Sequence, residues 1–131
     1  MATPINYVVS SGETSSGITL NLSYITYSYH GYDSMTVLSG GTAIAITVNP
    51  DCFLHVSSGG TATNIVAIDW RAGLGITVAP NTYIQGTYDG SAFEMKDAKI
   101  SGYTVSRGYL YVFSGGTAHF TTVNYDGSLY V

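Results

Sequence analysis

The side chains that could carry out acid–base chemistry are few and scattered in this sequence of 131 residues. Asp and Glu together number eight, His three and Cys one. Cleavage of a polysaccharide needs two carboxylates, or a base beside a cation, held close together in a groove. Asp51, Asp89 and Asp126 stand next to Pro or Gly, where turn formation accounts for them. The sequence therefore predicts a protein that is not an enzyme, with no catalytic residues.

Metal and cofactor sites are not predicted either. His30, His55 and His119 occupy different positions relative to the repeats described below, and Cys52 is the single cysteine. A zinc site needs more ligands than these residues can bring together. Gly-Gly pairs are not followed by the Asp of calcium-binding repeats, and motifs for a nucleophile elbow, a zinc protease or a phosphate loop do not occur. We expect no metal and no cofactor.

The amino-acid composition of the chain excludes several classes of protein and of partner. The chain has four Lys and Arg and a net charge of -4, so it has no basic surface for nucleic acid. Hydrophobic residues make up 45% and charged residues 9%, which excludes an intrinsically disordered chain. No apolar run reaches the about 18 residues of a membrane-spanning helix, and we expect no membrane insertion.

A repeated pentapeptide is the strongest pattern in the sequence. Ser-Gly-Gly-Thr-Ala begins at Ser39, Ser58 and Ser114, so the first two copies lie one period apart and the third follows the second by close to three such periods. An apolar-x-Val run precedes each copy. We expect turns at these copies, because glycine readily adopts a positive φ. The turn residues are Ser39, Gly40, Gly41, Ser58, Gly59, Gly60, Ser114, Gly115 and Gly116.

Each repeat holds two short runs of alternating β-branched, aromatic and aliphatic residues, which favour strands. A period of about 19 residues with two strands and two turns is typical of one coil of a parallel β-solenoid. The length allows about six coils stacked about 4.8 Å apart. The expected interior columns are Val37, Val56 and Val112, and Val48, Val78 and Val123. A β-sandwich or an antiparallel barrel is the alternative all-β fold.

Two stretches interrupt the period. One lies near residues 24–33 and is rich in tyrosine; the other spans residues 85–102 and holds Glu94, Lys96, Asp97 and Lys99. For the second stretch, a degenerate coil, a protruding loop and a short helical turn around residues 93–100 all remain open. We predict a single β-solenoid domain over residues 1–131 that carries these two irregular insertions.

The repeat resembles those of AIDA-type autotransporter adhesins of Gram-negative bacteria. The resemblance rests on the segments 38–43, 56–64 and 113–118, each of which contains Ser-Gly-Gly-Thr-Ala, and extends over residues 34–68 and 104–131. It implies a right-handed parallel β-helix from an extracellular passenger stalk that mediates adhesion or association between cells. It also implies that serine can carry sugar, and Ser57 and Ser58 occupy matching positions. On this basis we predict an adhesin repeat module.

Tyrosines are the residues best suited to a binding surface. Exposed Tyr offers a rigid amphipathic surface to proteins or sugars. Tyr27 shares a strand face with Tyr29, and Tyr109 with Tyr111, if their segments are extended. An outward ladder of rings, or a cap on the first coil, is the alternative role for them. The candidate binding residues are Tyr24, Tyr27, Tyr29, Tyr32, Tyr109 and Tyr111.

The C-terminal segment Leu129, Tyr130 and Val131 falls inside an expected strand. A bare last coil exposes strand edges, so these residues are candidates for end-to-end association with another copy or for continuation of a longer array. The expected partners are other copies of the chain or another protein, with glycans a further class. The N-terminus has no signal-peptide pattern. An extracellular adhesin and a small cytoplasmic inhibitor of phage type both remain open, and a carbohydrate-binding β-helix is a third interpretation.

Overall fold

The structure, a computed structural model, describes the backbone of residues 5–24 and 30–131 and the side chains of residues 5–21 and 31–131. Every regular element in these residues is a β-strand, and no helix there is long and apolar enough to cross a membrane. The strands are β1 Asn6–Val9, β2 Thr14–Ser16, β3 Thr19–Leu20, β4 Leu22–Tyr24, β5 His30–Tyr32, β6 Ser34–Val37, β7 Thr42–Ile44, β8 Thr47–Val48, β9 Phe53–Val56, β10 Thr61–Ala67, β11 Gly73–Val78, β12 Tyr83–Tyr88, β13 Ser91–Lys96, β14 Lys99–Ser101, β15 Thr104–Val112, β16 Thr117–His119 and β17 Thr122–Tyr130.

One sheet, sheet A, is entirely parallel. Its strand order is β1-β6-β9-β11-β15-β17, and each strand pairs with the strand one repeat further along the chain. Alternation of side chains sends every second residue inward, as period-2 strands require. Val37, Val56, Ile76 and Leu110 lie opposite one another in this order and are fully buried. The sheet thus builds an interior column from one residue of each of four successive strands.

The second sheet, sheet B, is mixed. Strands β2, β7, β10 and β12 pair in parallel, and β3, β8 and the end of β10 extend the same ladder. Strands β12, β13 and β14 pair antiparallel, after which β16 joins β14 in parallel. Strands β4 and β5 form a separate antiparallel pair. Buried residues of sheets A and B belong to one hydrophobic core, which fixes both sheets in place.

Stacked glycine turns join sheet A to sheet B. Gly40 and Gly59 adopt φ of 79° and 86°, which L-residues with side chains rarely take. The Gly40 amide donates to the carbonyl oxygen of Gly59 at 2.9 Å, and the Gly12 amide donates to that of Gly40 at 3.0 Å. A Cβ on either Gly40 or Gly59 would collide with a serine of the preceding turn, Ser11 or Ser39. Glycine is therefore required where the turns stack directly on each other.

The predicted interior columns are only partly correct. Val37 and Val56 are neighbours, but Val112 lies opposite Val78 instead of Val56. The connection from Ile76 to Tyr83 is longer than the matching connection from Val56 to Thr61, and this shifts the register. The second predicted column is wrong because two similar Ile-Thr-Val segments serve different sheets: Val48 ends a strand of sheet B and Val78 ends a strand of sheet A.

The stretch 85–102, for which three structures remained open, is an antiparallel excursion. Asp89-Gly90 and Asp97-Ala98 have positive φ at both residues, as type I′ hairpin turns require. These turns reverse the chain between β12 and β13 and between β13 and β14. Phe93 and Met95 of β13 are buried, so the excursion packs on the core and is neither a free loop nor a helical turn.

Candidate binding surface

Aromatic side chains line the outer face of sheet A. Because inward and outward positions alternate, the buried Leu54, Ile76 and Leu110 leave their neighbours pointing outward. Rings follow one another across strands β9, β15 and β17. We call this surface the aromatic face and define it by Phe53, His55, Tyr109, Tyr111, Phe113 and Tyr130.

A glycine in β11 allows side chains of the two neighbouring strands to meet on this face. Gly75 lies between His55 and Tyr109 in the register of sheet A. A Cβ at Gly75 would lie 2.5 Å from the Tyr109 ring, so the ring occupies the space that a side chain would take. The Tyr109 hydroxyl reaches over β11 and hydrogen-bonds Nδ1 of His55. Glycine on one strand is thus covered by an aromatic ring from the next.

The rings pack at van der Waals separations along the face. The ring centroids of Tyr109 and Tyr111 are 4.6 Å apart, and those of Tyr111 and Tyr130 are 4.8 Å apart. Phe113 and Tyr130 remain 50% and 51% exposed. The face is therefore a preformed aromatic surface that still presents substantial area to a partner.

The aromatic face is electrically neutral around physiological pH. Burial lowers the pKa of His55 below its ordinary value of 6.5. Burial, followed by the neighbouring Tyr111, raises the pKa of Tyr109 to about 12. Both partners of the hydrogen bond thus stay uncharged, and a partner does not have to neutralise charge on these groups.

The predicted binding tyrosines fall into two groups. Tyr109 and Tyr111 lie side by side on the aromatic face, together with Tyr130 of the predicted association segment. Tyr32 is 42% exposed on β5. Tyr27 and Tyr29 lie outside the described residues, and Tyr24 is described only in its backbone. The role of any of these residues in binding stays a prediction.

The predicted association segment lies at one end of the strand order. Leu129, Tyr130 and Val131 are 40%, 51% and 99% exposed. Leu129 and Tyr130 belong to β17, the outermost strand of sheet A in the described part of the chain. These residues are accessible to another chain, and their role in association stays a prediction.

Several of the acids have structural partners. Asp33 is buried, and its carboxylate accepts hydrogen bonds from the amides of Ile5 and Asn21 at 2.9 and 3.0 Å. Asp51 and Arg107 form an ion pair at 2.7 Å. In residues 5–24 and 30–131 no three metal-ligating side chains come close enough to share an ion. These arrangements tie chain segments together without forming a reactive pair.

Burial makes the single cysteine unreactive. Cys52 is 2% exposed, and burial, with the charge of Asp33 second, raises the pKa of its thiol to about 11. Thiolate chemistry at neutral pH is therefore suppressed.

Sequence reasoning missed a cleft elsewhere on the molecule, which we call the Trp70 cleft. It has two compartments of about 220 and about 240 Å³ that share Trp70, Ser106 and Asn124. The first also contacts Asp89, Ser91 and Tyr103, and the second Tyr125 and Asp126. Trp70 is the one tryptophan of the chain and lies between polar residues in the connection from β10 to β11. A single tryptophan in such a position is the sequence signal that could have identified this cleft.

Comparison with solved structures finds a likeness at low sequence identity. The chain is similar to the crystal structure of a TibC-catalyzed, hyper-glycosylated TibA fragment, with a TM-score of 0.47 and 22% sequence identity. The alignment covers 98% of this chain and 45% of that fragment, so the chain spans less than half of its length. No family model and no curated protein matches the sequence.

Proposed function

We propose that this chain is a non-catalytic adhesin repeat module, folded as a parallel β-helix, that associates with further copies of itself through the aromatic face. Support for the helical coil comes from the chain path. After each strand of sheet A except the last, β17, the chain turns, contributes to sheet B and comes back to sheet A. Repeats that each contact only the preceding and the following repeat are the units of a solenoid.

The observation that carries the function is the aromatic face itself. Outer positions of soluble strands usually carry polar side chains, whereas here five of the six defining residues are Phe or Tyr. Tyr and Phe are enriched in protein interfaces, and charged residues are depleted in the core of an interface. An exposed aromatic surface of this kind marks a contact site.

A second copy is the partner that this face suits best. The face offers no charged group for recognition of an oppositely charged partner, because His55 and Tyr109 are both neutral. Two copies related by a two-fold axis can bury the same patch on each other, and offset rings stabilise such contacts. Homotypic association of modules on a bacterial cell surface is how such a face would produce adhesion.

Sedimentation velocity over a range of protein concentrations tests this function. The wild-type chain is expected to shift from monomer to dimer as concentration rises. Tyr111→Lys places a charge at the centre of the face and is expected to stay monomeric, because an unpaired charge is costly to bury. Tyr125→Lys is the matched control, since Tyr125 is fully exposed and lies outside the aromatic face.

A wild-type chain that stays monomeric at every concentration would contradict the proposal. Equal loss of the dimer in Tyr111→Lys and Tyr125→Lys would contradict it as well, since the effect would then follow from net charge and not from the face.

A further inference from the structure

We propose that the Trp70 cleft is a binding site for a neutral pyranose sugar, with room for a disaccharide. This site is separate from the aromatic face and does not depend on the proposed self-association. The cleft lies where the antiparallel excursion leaves the stack of repeats. Regular repeats return from sheet B to sheet A, but after Tyr88 the chain turns back at Asp89-Gly90 into β13. The missing connection leaves the space that the cleft occupies.

Contacts of the Tyr88 hydroxyl fix the relative positions of the segments that flank this space. It is 5% exposed, and its hydroxyl contacts the carbonyl oxygen of Ala72 and accepts a hydrogen bond from the Arg107 amide at 3.1 Å. One side chain thus bonds backbone groups of the connection from β10 to β11 and of strand β15. Because these two segments include Trp70 and Ser106, the cleft is fixed before a ligand arrives, which lowers the entropy cost of binding.

Trp70 provides the surface on which a sugar ring can lie. Its side chain is 51% exposed, and no other aromatic ring stacks on it within the described part of the chain. The face of an aromatic ring carries partial negative charge. The C–H bonds on one face of a pyranose carry partial positive charge and pack against such a surface. A broad exposed indole at the lip of a cleft fits this contact.

The polar residues of the cleft match hydroxyl groups. Asp89 accepts hydrogen bonds, Ser91 and Ser106 donate and accept, and the Asn124 amide does both. Sugar hydroxyls likewise donate and accept. Tyr103 lines the same compartment; it is 2% exposed, and its hydroxyl has no hydrogen-bond partner among the described residues. The Tyr103 ring forms part of the wall, so the hydrogen bonds to a sugar come from Asp89, Ser91, Ser106 and Asn124.

Charge and size define the ligand further. The cleft contains the carboxylates of Asp89 and Asp126, whereas none of the four Lys and Arg lines it. Phosphates, uronic acids and sialic acids are therefore disfavoured. Each compartment is smaller than the about 300 Å³ at which pockets for drug-sized ligands begin, so each suits a single ring. Two compartments that both border Trp70, Ser106 and Asn124 suit two linked rings.

Fluorescence of the single tryptophan reports directly on this site. Glucose, galactose, mannose, N-acetylglucosamine, lactose, cellobiose and diacetylchitobiose are titrated into the full chain, with glucuronate and choline as charged controls. We expect a saturable change with at least one neutral sugar at a Kd on the order of 1 mM or tighter. A disaccharide is expected to bind more tightly than its monosaccharides, because it fills both compartments.

Variants measured by calorimetry complete the test. Trp70→Ala is expected to abolish binding and Asn124→Ala to weaken it about tenfold, the effect of one lost hydrogen bond. Both positions are exposed, so both variants should fold. Tyr111→Lys is the matched control and should bind sugar like the wild type, while Trp70→Ala should sediment like the wild type. These crossed results separate failure of the sugar site from failure of the aromatic face.

Three results would overturn the proposal. They are the absence of a response to every neutral sugar of the panel, a response to glucuronate or choline alone, and sugar binding that survives Trp70→Ala unchanged.

Discussion

The Tyr109 hydroxyl hydrogen-bonds Nδ1 of His55 across the strand that separates the two residues. Gly75 occupies the intervening position, and the Tyr109 ring lies in the space above it. Strands β9 and β15 are therefore linked by side chains over the intervening β11, in addition to the ladder of backbone hydrogen bonds. This link gives the aromatic face a fixed shape and makes its stability sensitive to pH.

Protonation of His55 should weaken the fold. Because burial lowers its pKa below 6.5, the folded chain binds fewer protons than the unfolded chain once the pH falls below that value. The free energy of unfolding is therefore expected to decrease as the pH is lowered from about 7.5 to about 5.5. Urea denaturation at a series of pH values measures this slope.

The His55→Phe variant should lose this part of the slope, since Phe does not titrate. His119→Asn serves as the control, because His119 is exposed on β16, and should keep it. An unchanged slope in His55→Phe would show that other groups cause the pH dependence.

Gly75→Ala should destabilise the protein by about 1–3 kcal/mol, the usual cost of placing an extra methyl group in packed space. The cause is specific, because the new Cβ would meet the Tyr109 ring at 2.5 Å. Tyr109→Ala removes that ring, so Gly75→Ala should cost much less in the Tyr109→Ala background. Thermal or urea unfolding of the four chains gives the coupling energy. Additive effects would mean that the glycine is needed for another reason.

Two buried tyrosines should respond oppositely to loss of the hydroxyl. Tyr88→Phe leaves the Arg107 amide and the Ala72 carbonyl without this partner and should cost about 1–3 kcal/mol. Tyr103→Phe removes a hydroxyl that has no partner among the described residues, so it should be neutral or stabilising. Urea denaturation of both variants compares them directly. A larger loss in Tyr103→Phe than in Tyr88→Phe would contradict this assignment.

The repeat made much of the architecture predictable. Alternating runs and glycine turns at a regular short period predicted an all-β chain with parallel strands, and the register of Val37 with Val56 follows directly from that period. The register fails at Val78, because the connection that contains Pro80 is longer than a Ser-Gly-Gly turn. Local similarity between two Ile-Thr-Val segments could not reveal that they serve different sheets.

The candidate sites were harder to predict for the same reason. Tyr109 and Tyr111 stand in one strand and were identified from their alternation, but His55 and Gly75 join them only through pairing across sheet A. The Trp70 cleft depends on the excursion at residues 85–102, whose structure the sequence left open. Residues far apart in sequence, such as Trp70 and Asn124, meet there through the pairing of β11 with β15 and of β15 with β17.

Disulfide trapping of two copies tests the self-association most directly. Tyr111→Cys places a thiol at the centre of the aromatic face, Glu94→Cys places one on an exposed position of β13, and the buried Cys52, whose thiol pKa is about 11, should not interfere. Tyr111→Cys is expected to form a covalent dimer much faster than Glu94→Cys under mild oxidation, because only facing copies bring two thiols within bonding distance. Equal rates of dimer formation for the two variants would contradict association through the aromatic face.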